Sequence, residues 1–265
     1  IIQLLLSIPS HVHSLLESSA FLSAARLEGV GRVLHRVIES YDSEEIAGGS
    51  LKDKFPIIER QWEMIAALGS VIVRRATAEL RICDASPIVR KVQISASMWL
   101  TEDGLNSRQI LAQTLASIVI LDNVTLRSAL TLLLDARSKR LSAILDSMVI
   151  DKQQIDQCIG RTEEAIETVL STVHAANILF GAVEHAGLLL QLLEEIETPS
   201  LSSNSSNQLP PILSMLPNYI TLSRHLPDTI LNFSPSIASS HSTFSSRDAS
   251  IEIQSWLTQS NHLVV

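Results

Sequence analysis

IVILDNVTLRSALTLLLDARSKRLSAILD, Ile118–Asp146, holds the end of one aliphatic helical pattern, a short polar break and the whole of a second pattern. The first begins at Asn106 or Ser107 and runs to about Leu121. The second covers Leu126–Leu145, with Thr125 placed to cap it, since a Thr oxygen there can accept an orphan N–H of the first turn. Long helical patterns of this kind dominate the chain.

The same periodicity extends in both directions. Towards the N-terminus, Ser10 follows Pro9 and is read as the start of a helix reaching about Ser40, with Val12, Leu15, Leu16, Leu22, Val30, Val33, Leu34, Val37 and Ile38 at intervals of three and four. Gly29 and Gly31 interrupt it; each costs up to ~1 kcal/mol relative to Ala, unless it lets another helix approach. Tyr41–Lys54, with Gly48 and Gly49, is read as a loop. Pro56 suits a first helical turn, and the pattern after it continues to about Ile82. Ile88–Trp99 is ambiguous between helix and strand because Val89, Val92 and Ile94 are β-branched. Towards the C-terminus, a helix is expected over about Asp151–Phe180 and a continuation over Val183–Ile196, with Gly181 between them.

After Ile196 the composition changes. Thr198–Gln208 is a Ser/Asn-rich linker, and from Thr198 onward only Arg224, Asp228, Arg247, Asp248 and Glu252 are charged. Pro210, Pro211, Pro217, Pro227 and Pro235 punctuate this part. Short helices are expected near Ile212–Ser223 and Ile251–Thr258, and Ser234–Ser250 is read as a flexible loop. The chain is therefore expected to be all-α, an elongated stack of antiparallel helical bundles over residues 1–197. Residues 198–265 form a low-charge second part of short helices and loops. Its apolar residues, Ile251, Ile253, Trp256 and Leu257 among them, are expected to pack on the bundle or on a partner, with Ser202–Asn207 and Ser239–Ser246 mobile.

Composition supports this class. The chain has 265 residues, 46% hydrophobic but only 4% aromatic, so the core is aliphatic, and 9 Gly with 9 Pro are too few for a turn-rich all-β fold. A net charge of −8 excludes a general nucleic-acid footprint. The charge-free run Thr168–Val183 falls short of the ~20 residues that span a bilayer, and Ile1–Leu6 lacks the basic flank of a signal peptide. The first residue is Ile1 rather than Met, so the chain is expected to be part of something longer. Cys83 and Cys158 lie far apart with no CxxC or Cys/His cluster, and buried, reduced thiols are expected.

No catalytic or cofactor constellation emerges. His11 and His13 point ~200° apart on a helix, so they cannot share a metal. His174 and His185 share a face only if the helix continues through Gly181, and satisfied interface histidines are the expected reading. Glu163, Glu164 and Glu167, and Glu194, Glu195 and Glu197, read as solvated faces without the Glu-x-x-His of a di-metal bundle. Gly29-Val30-Gly31 follows no strand, so it is not a phosphate loop. Arg137, Lys139 and Arg140 form a basic cluster near a helix C-terminus, where the helix dipole favours cations. These three, with Ile251, Trp256 and Leu257, are the candidate partner-binding residues; no catalytic, cofactor or metal residue is expected.

Three segments carry a likeness: the opening LLLSIPSHVHSLLESSAFLSAARLEGVGRVLHRVI, the helix FPIIERQWEMIAALGSVIVRRATAEL, and Ile118–Asp146, where Arg127, Ala129, Leu130, Leu134, Ala136 and Arg137 match an R-x-A-L-x-x-x-L-x-A-R helix. In this order they resemble the subunit-one family of the conserved oligomeric Golgi complex. The family's Ser-Pro before that Arg is Thr125-Leu126 here. The likeness covers Ile1–Asp146 and, more loosely, residues to about Phe180. It implies a helical-rod subunit of a cytosolic tether for intra-Golgi retrograde vesicles. On that reading the subunit is non-catalytic and joins the Golgi membrane peripherally through partners. Those partners would be other complex subunits, with SNAREs, small GTPases and coiled-coil tethers as further ones. The alternatives are a subunit of a sister tether (exocyst or endosome-to-Golgi) or a helical bundle that binds a small ligand or lipid, the latter suggested by the aliphatic run around Leu188–Leu193.

Overall fold

The computed structural model of the chain describes residues 2–44, 55–82, 102–150, 155–181, 187–197 and 244–264. These form eight helices: α1 (Ile2–Glu17), α2 (Phe21–Glu44), α3 (Ile57–Ile82), α4 (Glu102–Asp122), α5 (Leu126–Ile150), α6 (Ile155–Phe180), α7 (Leu188–Glu197) and α8 (Ser246–Val264). The fold is all-α, a helical bundle, as the periodicity requires. The ambiguous Ile88–Trp99, the linker after Thr198 and the segment Ile212–Ser223 lie outside the described residues. The chain divides into two compact units. One comprises Ile1–Arg75, Ile120–Asp122 and Glu195–Ile237, and the other Ala76–Val119, Asn123–Glu194 and Ala238–Val265.

In the first unit the expected helix from Ser10 to Ser40 is two helices. α1 starts earlier and carries Pro9 inside it, so the N–H that would bond the carbonyl of Leu5 is missing. The true break follows Glu17. Ser19 adopts φ 56°, its N–H donates to the Leu16 carbonyl at 3.3 Å, and the Ala20 N–H reaches back to Leu15 at 2.9 Å. This is a Schellman ending, usually signalled by Gly in the left-handed position. With Ser there the signal is hidden. Because a side chain in that conformation costs roughly 1–2 kcal/mol, Ser19→Gly is expected to raise the urea midpoint of the first unit by up to ~1 kcal/mol of stability. An unchanged or lowered midpoint contradicts the assignment.

α1, α2 and α3 share one aliphatic core. Leu4, Leu5, Ile8, Val12 and Leu16 of α1, Leu27, Val30, Leu34 and Ile38 of α2, and Ile58, Ile65 and Ile72 of α3 are buried. α2 and α3 run antiparallel, as three facing pairs show. The ring of His35 stacks on Trp62 at 4.2 Å between centroids. Gly31 lies so close that a Cβ there would sit 2.9 Å from Ile65 Cγ2. At Gly69 a Cβ would sit 3.3 Å from the Arg32 guanidinium and 3.5 Å from the Glu28 carboxylate. Gly31 is thus the close approach that offsets its poor helix propensity. Glu28 is buried, and burial pushes its carboxyl above the usual range, with the bond from Arg32 opposing that push. Arg32 Nε donates to Glu28 Oε1 at 2.7 Å.

In the second unit α4 is buried almost all round between Leu111 and Val119. A helix in that position needs apolar side chains on every face, and its hydroxyls bond back to the helix. Thr114 donates to the Ile110 carbonyl at 2.8 Å and Ser117 to that of Thr114 at 2.6 Å. α4 ends at Asn123, with φ 50°, and Thr125 caps α5: the Ser128 N–H donates to Thr125 Oγ1 at 3.2 Å. α5 packs on α6, and α8 lies against both. α6 and α7 are separate elements. Gly187, just before α7, stands where a Cβ would collide with the Leu179 carbonyl oxygen.

The expected loop Ser234–Ser250 is corrected where it is described, because α8 begins at Ser246 rather than near Ile251. A capping box sets that start. The Asp248 N–H donates to Ser245 Oγ at 3.3 Å, while the Ser245 N–H and hydroxyl donate to Asp248 Oδ2 at 3.0 and 2.7 Å.

Candidate functional site

The basic cluster does not form one surface. Positions separated by two and three residues spread round most of a helix, and the structure uses each differently. Arg137 is 1% exposed and belongs to the core of the second unit. Arg140 reaches the Arg81 carbonyl at 3.5 Å and Glu164 Oε1 at 3.4 Å. Lys139 is exposed and pairs with Asp135 one turn back at 2.7 Å. Of the three, Lys139 alone has its charge largely in solvent.

The candidates on α8 also part company. Trp256 is buried, and its indole N–H donates to the Leu134 carbonyl at 3.1 Å and to Ser138 Oγ at 2.7 Å. Leu257 is half-buried, and Ile251 is exposed. A second clamp holds the helix near its start, where the Arg127 guanidinium donates to Glu252 Oε1 through both Nε and a terminal nitrogen.

His11 and His174 bond within the fold. His11 Nδ1 lies 2.8 Å from the Ser7 carbonyl, so that nitrogen carries the proton and donates, and His13 is exposed on the other side of α1. His185 lies outside the described residues. His174 Nε2 accepts from an Arg108 terminal nitrogen at 3.2 Å. Burial first and the Arg108 charge second hold the imidazole below its usual range. The folded state therefore favours neutral His174, whose stabilising contribution is present above the ordinary histidine range and is lost as pH falls below it. Urea midpoints should fall between pH 7.5 and 5, and His174→Gln, which keeps an acceptor, should flatten that fall. An unchanged slope rules out the linkage. The effect is small, because Arg108 and His174 are both only part-buried and solvent screens the pair.

Among the described residues, no group of three His, Cys, Asp or Glu could hold a metal ion. Cys158 is half-buried rather than buried, and Cys83 lies outside the described residues. Gly29-Val30-Gly31 is helical, and Gly31 sits against Ile8 of α1 and Ile65 of α3. Glu195 is close enough to Arg26 to favour its charge against the burial that disfavours it.

A groove of about 350 Å³, which sequence reading missed, opens on the first unit between α2 and α3. Arg32, His35, Arg36, Glu39, Trp62 and Ala66 line it. His35 sits between two carboxylates, with Nδ1 3.7 Å from Glu39 and Nε2 4.0 Å from Glu59. A lipid-binding bundle calls for a closed, apolar cavity; this groove is open and polar. The pairing of His35 with Trp62 across two helices carries no short-range sequence signal by which it could be found.

No protein-family model matches the chain, and no solved structure matches it. The chain is similar to conserved oligomeric Golgi complex subunit 1 of Mus musculus. The two are 25% identical over 269 residues, covering 98% of this chain and 24% of the mouse protein. The chain thus spans about a quarter of the length of that relative. Among the described residues no helix is long and apolar enough to cross a membrane.

Proposed function

We propose that this chain is part of a non-catalytic structural subunit of a Golgi tethering complex of the conserved oligomeric type. It acts through protein–protein contacts in intra-Golgi retrograde vesicle transport. The observation that carries the reading is the likeness to mouse subunit 1 along nearly the whole chain. An all-helical fold agrees with it, since a rod subunit is built by stacking helices whose apolar stripes bury one another. The partners on this reading are the other subunits of the complex, with SNAREs, small GTPases and coiled-coil tethers as further contacts. The site of action is the cytosolic face of the Golgi, reached through those partners. The division into a bundle over 1–197 and a packing tail over 198–265 is part of the same proposal. So is partner contact through the exposed Lys139 and Ile251.

Affinity purification of the full-length protein from its own cells, followed by mass spectrometry, tests the assignment. Other Golgi tether subunits are expected to co-purify. Recovery of exocyst or endosome-to-Golgi tether subunits moves the protein to a sister complex, and recovery of no tether subunit overturns the reading.

A further inference from the structure

α6 buries one side against α5 and α8 and leaves an apolar line on the other. Ile159, Ile166 and Leu170 are 53%, 55% and 64% exposed. At ~100° per residue they fall within about 40° of arc, along about 16 Å of the helix. Single exposed aliphatic residues are ordinary on a protein surface, but an aligned row at a spacing of seven and four is the pattern of a helix that meets another helix. The two edges of the row differ. Glu163 is exposed about 40° to one side of Ile159, and Glu167 lies about 40° beyond it. The opposite edge carries the exposed, uncharged Thr162.

We propose that this face of α6 docks an amphipathic helix of another polypeptide, one whose apolar stripe is bordered on one edge by Lys or Arg. The apolar row supplies the area to be buried, and the acidic edge sets orientation and rejects partners with an acidic border. A second copy offering this same face of α6 brings an acidic or an uncharged edge to the row, not a basic one. The inference does not depend on the Golgi assignment. It rests on the residues of α6 alone and holds whichever complex the subunit serves.

Photocrosslinking of the full-length protein in its own cells tests it, with Leu170 replaced by p-benzoylphenylalanine and the crosslinked peptide sequenced. The expected product is a segment of a different polypeptide with apolar residues at intervals of three and four and a Lys or Arg on one border. Glu163→Lys in the same protein is expected to lower the yield roughly fivefold, and Glu163→Gln to lower it less. Several outcomes overturn the proposal: a crosslink within this chain (its own basic pair Arg90–Lys91 included), a crosslink between two copies, a partner segment without a basic border, no crosslink, or a yield indifferent to Glu163→Lys. Circular dichroism of each variant confirms that these exposed substitutions leave the helices intact.

Discussion

Trp256→Ala is expected to cost the second unit about 3–5 kcal/mol, the usual range for removing a buried aromatic side chain, and to release α8 from α5 and α6. Two effects add. The indole fills the space between the helices, being 5% exposed, and its deletion leaves a cavity that rigid neighbouring helices close only in part. The N–H also bridges the Leu134 carbonyl and the Ser138 hydroxyl, so α8 loses its polar anchor to α5. Trp256→Phe separates the two, keeping most of the volume while losing the N–H, and should cost about 1–2 kcal/mol. Ile251→Ala on the exposed side of the same helix should stay within ~0.5 kcal/mol. Urea unfolding gives the energies, and limited proteolysis reports the helix, with new cuts within 246–264 expected for Trp256→Ala alone. Equal stability of Trp256→Ala and Ile251→Ala would show that Trp256 is not an anchor.

That pair shows where sequence reading reaches and where it stops. Trp256 and Ile251 looked alike as apolar residues of a low-charge tail in need of cover. Their five-residue separation places them about 140° apart on the helix expected over Ile251–Thr258, but which of the two faces the bundle is set by α5 and α6. The Ser245-x-x-Asp248 capping box carried the start of α8 at Ser246 in plain view and was obscured by the Ser-rich composition around it. Most helices were legible because their apolar faces repeat every three to four residues over long spans. The break between α1 and α2 was not. Ser19 takes the left-handed conformation without the glycine that advertises it, and Pro9, which looked like a boundary, lies inside α1.

The candidate site was harder to read for a related reason. Arg137, Lys139 and Arg140 form a cluster only along the chain; once coiled, they point into the core, into solvent and towards α6. Ile159, Ile166 and Leu170 have the spacing of core residues, so the sequence alone would assign them to the interior. Their exposure becomes visible only when α5 and α8 are seen to occupy the other side of α6. Long-range pairing decides both cases, and no local pattern encodes it.

The seam between α2 and α3 offers the sharpest test of such pairing. Gly31→Ala places a methyl 2.9 Å from Ile65 Cγ2 and 3.4 Å from Ile8 Cδ1, where three helices meet. Overpacking of this kind costs about 1–3 kcal/mol, while better helix propensity returns up to about 1. A net loss of about 1–2 kcal/mol is therefore expected, against the gain that Gly→Ala gives in an open helix. Gly31→Leu adds more volume at the same tight contact and should destabilise the first unit further than Gly31→Ala. The nearest atom identifies the remedy. Ile65→Leu moves the branch away from Cβ and removes Cγ2, whereas Ile65→Val keeps it. Gly31→Ala should thus be rescued by Ile65→Leu, with a coupling of about 1 kcal/mol in a double-mutant cycle, and far less by Ile65→Val. Urea unfolding of the four proteins in each cycle measures it. Additivity within about 0.5 kcal/mol in the Leu cycle would mean that Gly31 and Ile65 do not set the helix spacing. A stabilising Gly31→Ala would mean that the glycine serves no close approach there.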